Sequence, residues 1–250
     1  MLLRHATGHD RAFLLTHPDD ELTPEQQMLY EQWLERRARH EPVQYILEEQ
    51  EFYGLAFRVT PDVLIPRPET EHLVEAALHR LAHDAPIRIV DVGTGSGAIA
   101  IALAHTFPHA SVTALDSSRP ALEIARQNAE RHRLKDRIRF LESDLLAAVA
   151  GEKFDAIVSN PPYIADSEFL EEQVCNYEPK AALYAGSSGL EIYERLIPQA
   201  WEALKPGGWL LLEIGHGQRD ALAAQLADWS EVEFVSDLQG NPRVACARRI

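Results

Sequence analysis

The chain has 250 residues, with 24 Lys and Arg against 39 Asp and Glu, for a formal net charge of -15 at pH 7. It is 46% hydrophobic and 25% charged, which excludes a disordered or collagen-like chain. No apolar run reaches the length of a bilayer span, and the acidic balance argues against a broad nucleic-acid face.

Residues 1–48 read as helical. The apolar part of Met1-Leu2-Leu3-Arg4-His5 is too short for a secretory signal. The only cysteines are Cys175 and Cys246, so the chain is expected in a reducing cytoplasm with no disulfide framework. His17-Pro18-Asp19-Asp20 is a break. Thr23-Pro24-Glu25-Gln26 starts a helix, with Thr as cap and Pro in the first turn. That helix runs to about Arg39, carrying Met28, Leu29, Trp33 and Leu34 at helical spacing, and Glu41-Pro42 stops it. Phe52–Val59 reads as a short hairpin turning near Gly54. Ile65-Pro66-Arg67-Pro68 must be extended, because each proline biases its predecessor away from helix. A helix is predicted from Glu69 to about His83. His79 and His83 lie four apart on it, as zinc ligands can, but no Glu follows His79, and one face of a surface helix is the plainer reading.

From residue 87 the pattern alternates. Strands are predicted at Ile87–Val92, Val112–Leu115, Ile138–Leu141, Phe154–Ser159 and Trp209–Ile214. Helices are predicted at Ala98–His105, Pro120–Arg131, Leu190–Leu204 and Arg219–Ala227, with Pro206-Gly207-Gly208 ending the third. Such alternation predicts a parallel α/β sheet. The last two strands, Val232–Val235 and Val244–Ala247, have no helix between them and should pair antiparallel.

Two loops at strand ends carry chemistry. The first is Asp91-Val92-Gly93-Thr94-Gly95-Ser96-Gly97-Ala98, a Gly-rich turn from strand to helix that lets a ligand approach the backbone closely. Its Gly-x-Gly-x-Gly spacing departs from the dinucleotide Gly-x-Gly-x-x-Gly. Asp91 can hold a cationic group. Asp116, ending the next strand, can accept from both hydroxyls of a ribose. Asp144, at the end of the third, can accept from an adenine amino group, with Leu145 against the ring. A ligand with a ribose and an ammonium but no phosphate suits S-adenosylmethionine better than a dinucleotide. The plainer reading, a tight turn in a sheet protein, leaves the downstream acids unexplained.

The second loop is Ser159-Asn160-Pro161-Pro162-Tyr163-Ile164. In a doubly wound sheet it opens on the same crevice as the first. The Asn160 side-chain oxygen and the Pro161 carbonyl can accept both hydrogens of a planar NH2 group, aiming its nitrogen at a methyl sulfonium. Pro162 stiffens the loop, and Tyr163 can stack on a flat amide or aromatic face. No strong base is present, so catalysis would rest on orientation and electrostatics. Alone, the loop reads as a rigid strand end; beside the Gly loop it reads as a site.

These stretches, with Pro42-Val43-Gln44-Tyr45-Ile46, Ile65-Pro66-Arg67-Pro68-Glu69-Thr70-Glu71, Pro206-Gly207-Gly208 and Glu213-Ile214-Gly215, resemble the HemK/PrmC family, the peptide chain release factor glutamine N5-methyltransferases. The resemblance covers nearly the whole chain. Asn-Pro-Pro-Tyr is shared with many amino-methyltransferases, including those acting on adenine in DNA. Pro-Arg-Pro-Glu-Thr-Glu is more specific, since the related ribosomal-protein glutamine methyltransferases usually differ after Pro-Arg. The resemblance implies a Rossmann-like class I methyltransferase sheet, mostly parallel with the last strand antiparallel, carrying a small helical N-terminal domain. It implies a release-factor-docking domain over residues 1–48, a hairpin linker over 49–68 and a methyltransferase domain over 69–250.

By the same resemblance, Gly93, Thr94, Gly95, Ser96 and Gly97 form the cofactor loop, Asp116 binds ribose, and Asp144 and Leu145 flank the adenine. Asn160, Pro161, Pro162 and Tyr163 hold the glutamine of a class 1 release factor's Gly-Gly-Gln loop, with Arg67 and Glu69 close by. The family's N-terminal domain opens with further helix; here Met1–Ala6 reads as helix interior with no cap before it, so a shortened docking domain is expected. Neither nucleic acid nor membrane is an expected partner. Two rivals are an adenine N6-methyltransferase, which would need a basic groove, and a binding module that keeps the fold without the activity.

Overall fold

The computed structural model describes residues 1–250. Four helices open the chain: α1 (Leu2–Thr7), α2 (Arg11–Thr16), α3 (Pro24–Ala38) and α4 (Val43–Leu47). At α3 the Thr23 hydroxyl accepts from the Gln26 N–H while the Gln26 side chain accepts from the Thr23 N–H. This reciprocal capping satisfies two of the helix's free donors. The apolar spacing of α3 does not produce a buried face: no residue of α3 is buried, and Met28 and Leu34 are 59% and 43% exposed.

A hairpin follows, β1 (Glu49–Phe52) with β2 (Leu55–Arg58), turning at Tyr53-Gly54. Its Phe52 and Phe57 sit in the main core, and Val59, Val63 and Ile65 pack against Ala121 and Ile124. Thus the segment joining the N-terminal helices to the sheet is itself core. After a 3-10 turn at Pro68–Thr70 comes α5 (Glu71–Arg80). It ends three residues short of His83, because Leu81 is extended (φ -100°, ψ 147°). His83 therefore does not share a helix face with His79; its ring meets Phe107 at 5.6 Å.

The remaining elements are β3 (Arg88–Val92), α6 (Ala98–Thr106), β4 (Ser111–Asp116), α7 (Arg119–Arg131), β5 (Ile138–Glu142), β6 (Phe154–Ser159), α8 (Glu172–Tyr177), α9 (Glu191–Ala203), β7 (Leu204–Glu213), α10 (Arg219–Gln225), β8 (Ser230–Ser236) and β9 (Pro242–Arg248). Seven strands form one sheet in the order β5-β4-β3-β6-β7-β9-β8; β9 runs antiparallel to both neighbours and the first five strands are parallel. One correction concerns β7. The Pro206-Gly207-Gly208 turn lies inside the strand, where Leu204 pairs with Phe154 before a register shift brings Trp209 opposite Ala156. The bulge absorbs the residues that break the apolar pattern.

Each sheet face has its own core. On one side lie α5, α6 and the hairpin phenylalanines; on the other, Tyr193, Leu196 and Ile197 of α9 with Leu222 of α10. Every residue of α6 from Ala98 to Ala104 is buried, and its four alanines let it lie close to its neighbours. No helix is long and apolar enough to cross a membrane.

The chain starts its sheet at β3, moves outward to β4 and β5, then returns to lay β6 on β3's other side. The connections therefore diverge at the carboxyl ends of β3 and β6. In a doubly wound sheet this reversal opens the ligand crevice.

Candidate functional site

The loop after β3 turns sharply because its glycines take positive φ. Gly97 (φ 82°) opens α6, and a Cβ there would stand 3.1 Å from the Ala125 Cβ and 3.1 Å from the Ile101 Cδ1. Gly97→Ala is expected to lower the unfolding free energy by about 2–4 kcal/mol, combining left-handed strain with overpacking. Calorimetry would read this as a Tm several degrees below the wild type. Gly93 and Gly95 differ: a Cβ on either would meet nothing within 4 Å. The space above them is open to a ligand.

That space is a cavity of ≈ 230 Å³ at the switch point. Gly93, Gly95 and Asp116 form one wall, Asp144 and Leu145 another, and Asn160, Pro161 and Pro162 a third. Eight of the residues singled out from the sequence thus meet on one cavity. The Asp116 carboxylate accepts from the Gly95 N–H and the Ser118 N–H, each at 2.8 Å, which fixes the loop and the carboxylate together. Burial raises its pKa, opposed by these backbone hydrogen bonds. Asp144 pairs with Arg195 of α9 at 2.5 Å, and its side chain stays 67% exposed.

Asp91, Thr94, Ser96 and Gly97 lie beneath the loop and do not line this cavity. Asp91 is fully buried; its Oδ2 accepts from the Thr94 hydroxyl at 2.6 Å and its Oδ1 has no partner. Burial pushes its pKa up to about 7. A buried carboxylate with an unused oxygen beneath an open glycine wall, beside a second carboxylate, suits a ligand that brings positive charge and hydroxyl donors. The residues present fit a sulfonium nucleoside on these grounds.

The loop after β6 separates two cavities. Asn160, Pro161 and Pro162 also line a smaller one of ≈ 110 Å³, with Tyr163, Arg67 and Leu64. Tyr163 therefore faces this second space rather than the first. Its hydroxyl reaches the Glu213 Oε1 at 3.5 Å, and its carbonyl accepts from the Gln218 side chain at 2.9 Å. Gly215 makes room for it, since a Cβ there would come within 2.9 Å of the Tyr163 Cδ2. Arg67 forms an ion pair with Glu178, whose side chain is 1% exposed and also accepts from the Ile65 N–H. This pair pins the Pro-Arg-Pro stretch to the segment after α8.

Sequence reasoning gave no role to Thr70, Glu178, Glu213 or Arg195. Thr70 and Glu213 lay inside motifs, but nothing local says that they meet Asn160. The Asn160 Nδ2 donates to the Thr70 hydroxyl at 3.1 Å, across ninety residues of chain. Walls of the larger cavity at Asp62–Leu64 and at Pro179, Ala181 and Ala182 were likewise invisible, because only tertiary packing brings them there.

Comparison with known proteins agrees with this geometry. Residues 1–47 match the PrmC N-terminal domain and residues 70–177 the methyltransferase small domain. The chain is 48% identical over 252 residues to the release factor glutamine methyltransferase of Koribacter versatilis, covering 100% of this chain and 89% of that relative. It is 42% identical over 251 residues to the Escherichia coli protein of the same name, covering 99% and 90%. Among solved structures it is similar to a ribosomal protein L11 methylase from Lactobacillus delbrueckii subsp. bulgaricus, with TM-score 0.55 and 26% identity over 74% of this chain and 81% of that one. A methyltransferase from Pyrococcus furiosus shares the fold at TM-score 0.59 and 20% identity, over 86% and 98%.

Proposed function

The chain belongs to the release factor glutamine methyltransferases, and from that premise we propose that its methyl donor is S-adenosylmethionine and its acceptor the glutamine of the Gly-Gly-Gln motif in a class 1 peptide chain release factor. One observation carries the reading: Asn160-Pro161-Pro162 borders the same cavity as Gly93, Gly95 and Asp116. An amide held by the first group would lie against a nucleoside held by the second.

When bound, S-adenosylmethionine supplies an electrophilic methyl on a sulfonium. The protein's part is binding and aim. Asp116 would accept from the ribose hydroxyls, Gly93, Thr94, Gly95, Ser96 and Gly97 shape the loop beneath, Asp144 and Leu145 would flank the adenine, and Asp91, its pKa raised by burial to about 7, would ionise in response to a cationic ligand. The Asn160 Oδ1 and the Pro161 carbonyl accept the two amide hydrogens, keeping the nitrogen's lone pair on the axis of transfer. Proline has no N–H to compete for that carbonyl's surroundings. Tyr163, which lines the smaller cavity behind the loop, would back the glutamine side chain on the side away from the cofactor. An amide nitrogen is a weak nucleophile, and drawing both its hydrogens onto oxygen acceptors raises its electron density. The carbon–sulfur bond would break as the carbon–nitrogen bond forms, leaving a neutral thioether, and the amide nitrogen's surplus proton would pass to solvent. Orientation and electrostatics carry the rate.

The division of labour follows the chain: residues 1–48 dock the release factor, 49–68 tie that docking face to the sheet, and 69–250 carry the transfer. The uncovered apolar residues of α3, Met28 and Leu34 among them, support a partner on that face. A substrate engaged in translation places the reaction in the cytoplasm. The test offers methyl-labelled S-adenosylmethionine with a class 1 release factor, with the same factor carrying glutamate in place of the Gly-Gly-Gln glutamine, and with double-stranded DNA. Label in the first alone is the expected result. Label in the DNA, or in the glutamate variant equally, would overturn the reading.

A further inference from the structure

The loop after β6 has almost no main-chain anchorage of its own. From Pro161 to Tyr163, one main-chain atom takes a hydrogen bond from the protein: the Tyr163 carbonyl oxygen. Neither proline has an N–H to donate, and the Pro161 carbonyl is left for the substrate. The donor to Tyr163 is the side chain of Gln218, half-buried just before α10. Its amide is committed in one direction. Nε2 donates to the Tyr163 carbonyl at 2.9 Å and to the Gly189 carbonyl at 3.1 Å, while Oε1 accepts from the Gly215 N–H at 2.9 Å. A flipped amide would set an oxygen against two carbonyls and an NH2 against an N–H, so these three partners fix its orientation.

Three segments thus meet on one side chain: the end of the loop after β6, the turn before α9 and the turn after β7. Two glycines let them close. A Cβ on Gly189, at φ 77°, would collide with the Tyr163 carbonyl oxygen. One on Gly215 would stand 2.9 Å from both the Gln218 Oε1 and the Tyr163 Cδ2. The peptide plane that carries the Tyr163 carbonyl is held at its other edge too, where the Ile164 N–H donates to the Leu183 carbonyl at 3.1 Å. The phenol end of Tyr163 is looser, 3.5 Å from Glu213, so the firm hold on this residue is at its carbonyl.

We propose that Gln218 is a positioning residue for methyl transfer, clamping the Tyr163 peptide so that the Pro161 carbonyl stays on the substrate amide. This role deepens the glutamine-methylating reading and rests on it. The route is short. Asn160 is tied at the near end of the loop, through its Nδ2, to Thr70. The prolines lock φ at 161 and 162, which leaves few soft angles between two fixed ends. With the far end released, ψ at both prolines can swing the Pro161 carbonyl off the amide hydrogen it is to accept. Gln218 itself lines neither cavity, so it acts only through the loop.

The test measures kcat, KM for the release factor and S-adenosylhomocysteine Kd in the wild type, Gln218→Met, Gln218→Glu, Asn160→Ala and the double variant Asn160→Ala/Gln218→Met. Methionine keeps the side chain's length and loses all three hydrogen bonds. Gln218→Met should lower kcat on the order of 10–10²-fold, up to the scale of a misplacement of about 1 Å at the reacting group, with KM and Kd within about threefold. Glutamate keeps the shape, but its carboxylate sets an acceptor oxygen against two carbonyls, so in alkaline buffer Gln218→Glu should lose more than Gln218→Met. In the Asn160→Ala background the aim is already lost. There Gln218→Met should cost less than about threefold further, because residues that act as one unit are not additive. A merely structural clamp would add its full cost in that background. Should Gln218→Glu fail to fold, the methionine variants still decide. Turnover by Gln218→Met within about twofold of the wild type, a Kd weakened as much as kcat, or full additivity with Asn160→Ala would overturn the role. A wild type that leaves the glutamine unmethylated would instead overturn the functional reading.

Discussion

Asn160→Ala is expected to lower kcat on the order of 10²–10³-fold while leaving the affinity for S-adenosylmethionine within a few-fold of the wild type. The size follows from removing one preorganised partner of the reacting group in a site where that partner is already held in place. Asn160 is held in place: its Nδ2 is bonded to a buried Thr70, and its neighbours Pro161 and Pro162 allow the backbone little movement. Alanine removes the acceptor but keeps the loop, so the cofactor wall made by Gly93, Gly95 and Asp116 survives. Titration calorimetry reads the affinity and single-turnover methylation the rate. A variant that keeps full turnover would show that the substrate amide is not held by this side chain. One that loses cofactor binding as well would show that Asn160 belongs mainly to the nucleoside cavity.

Asp116→Ala should give the opposite pattern. Here the cofactor Kd weakens on the order of 10²-fold, while kcat at saturating cofactor stays within several-fold of the wild type. Two losses combine. A carboxylate acceptor for the ribose hydroxyls disappears, and hydrogen bonds to charged groups contribute about 1.5–3 kcal/mol, or tenfold to more than a hundredfold in Kd. The Gly95 N–H, bonded to the Asp116 Oδ2 at 2.8 Å, also loses its partner, and the loop loosens. Equilibrium dialysis with labelled S-adenosylmethionine measures the first quantity directly. An unchanged Kd would remove Asp116 from the ribose site. The pair of variants separates binding from aim, which neither does alone.

How much of this was legible in the sequence depends on how local each signal is. Strands β3, β4, β5 and β6 and the loops that follow them could be read because each is a short apolar run ending in Gly, Pro or acid. Those same residues then make the crevice, so the cavity's walls at Gly93, Asp116, Asp144 and Asn160 were readable from position alone. The start of β7 was not readable, because a bulge lets Pro206-Gly207-Gly208 sit inside a strand. Nor was the end of α5, where no proline or glycine marks the turn after Arg80. The apolar spacing of α3 was legible, but burial is a property of what packs against it, and nothing covers Met28 or Leu34. The least legible features are the side-chain links that support the site. Arg67 meets Glu178 across 111 residues and Asn160 meets Thr70 across ninety. Such contacts depend on the strand order β3-β6-β7, which no local pattern contains.

The central claim is that this crevice aims one amide nitrogen at one methyl group. Mass mapping of a class 1 release factor, after incubation with the protein and S-adenosylmethionine, tests it most directly. A single added methyl on the glutamine of Gly-Gly-Gln is expected, appearing on the order of 10²–10³-fold more slowly when Asn160→Ala replaces the wild type. An unmodified glutamine in the presence of bound cofactor, or a methyl at any other residue, would contradict it.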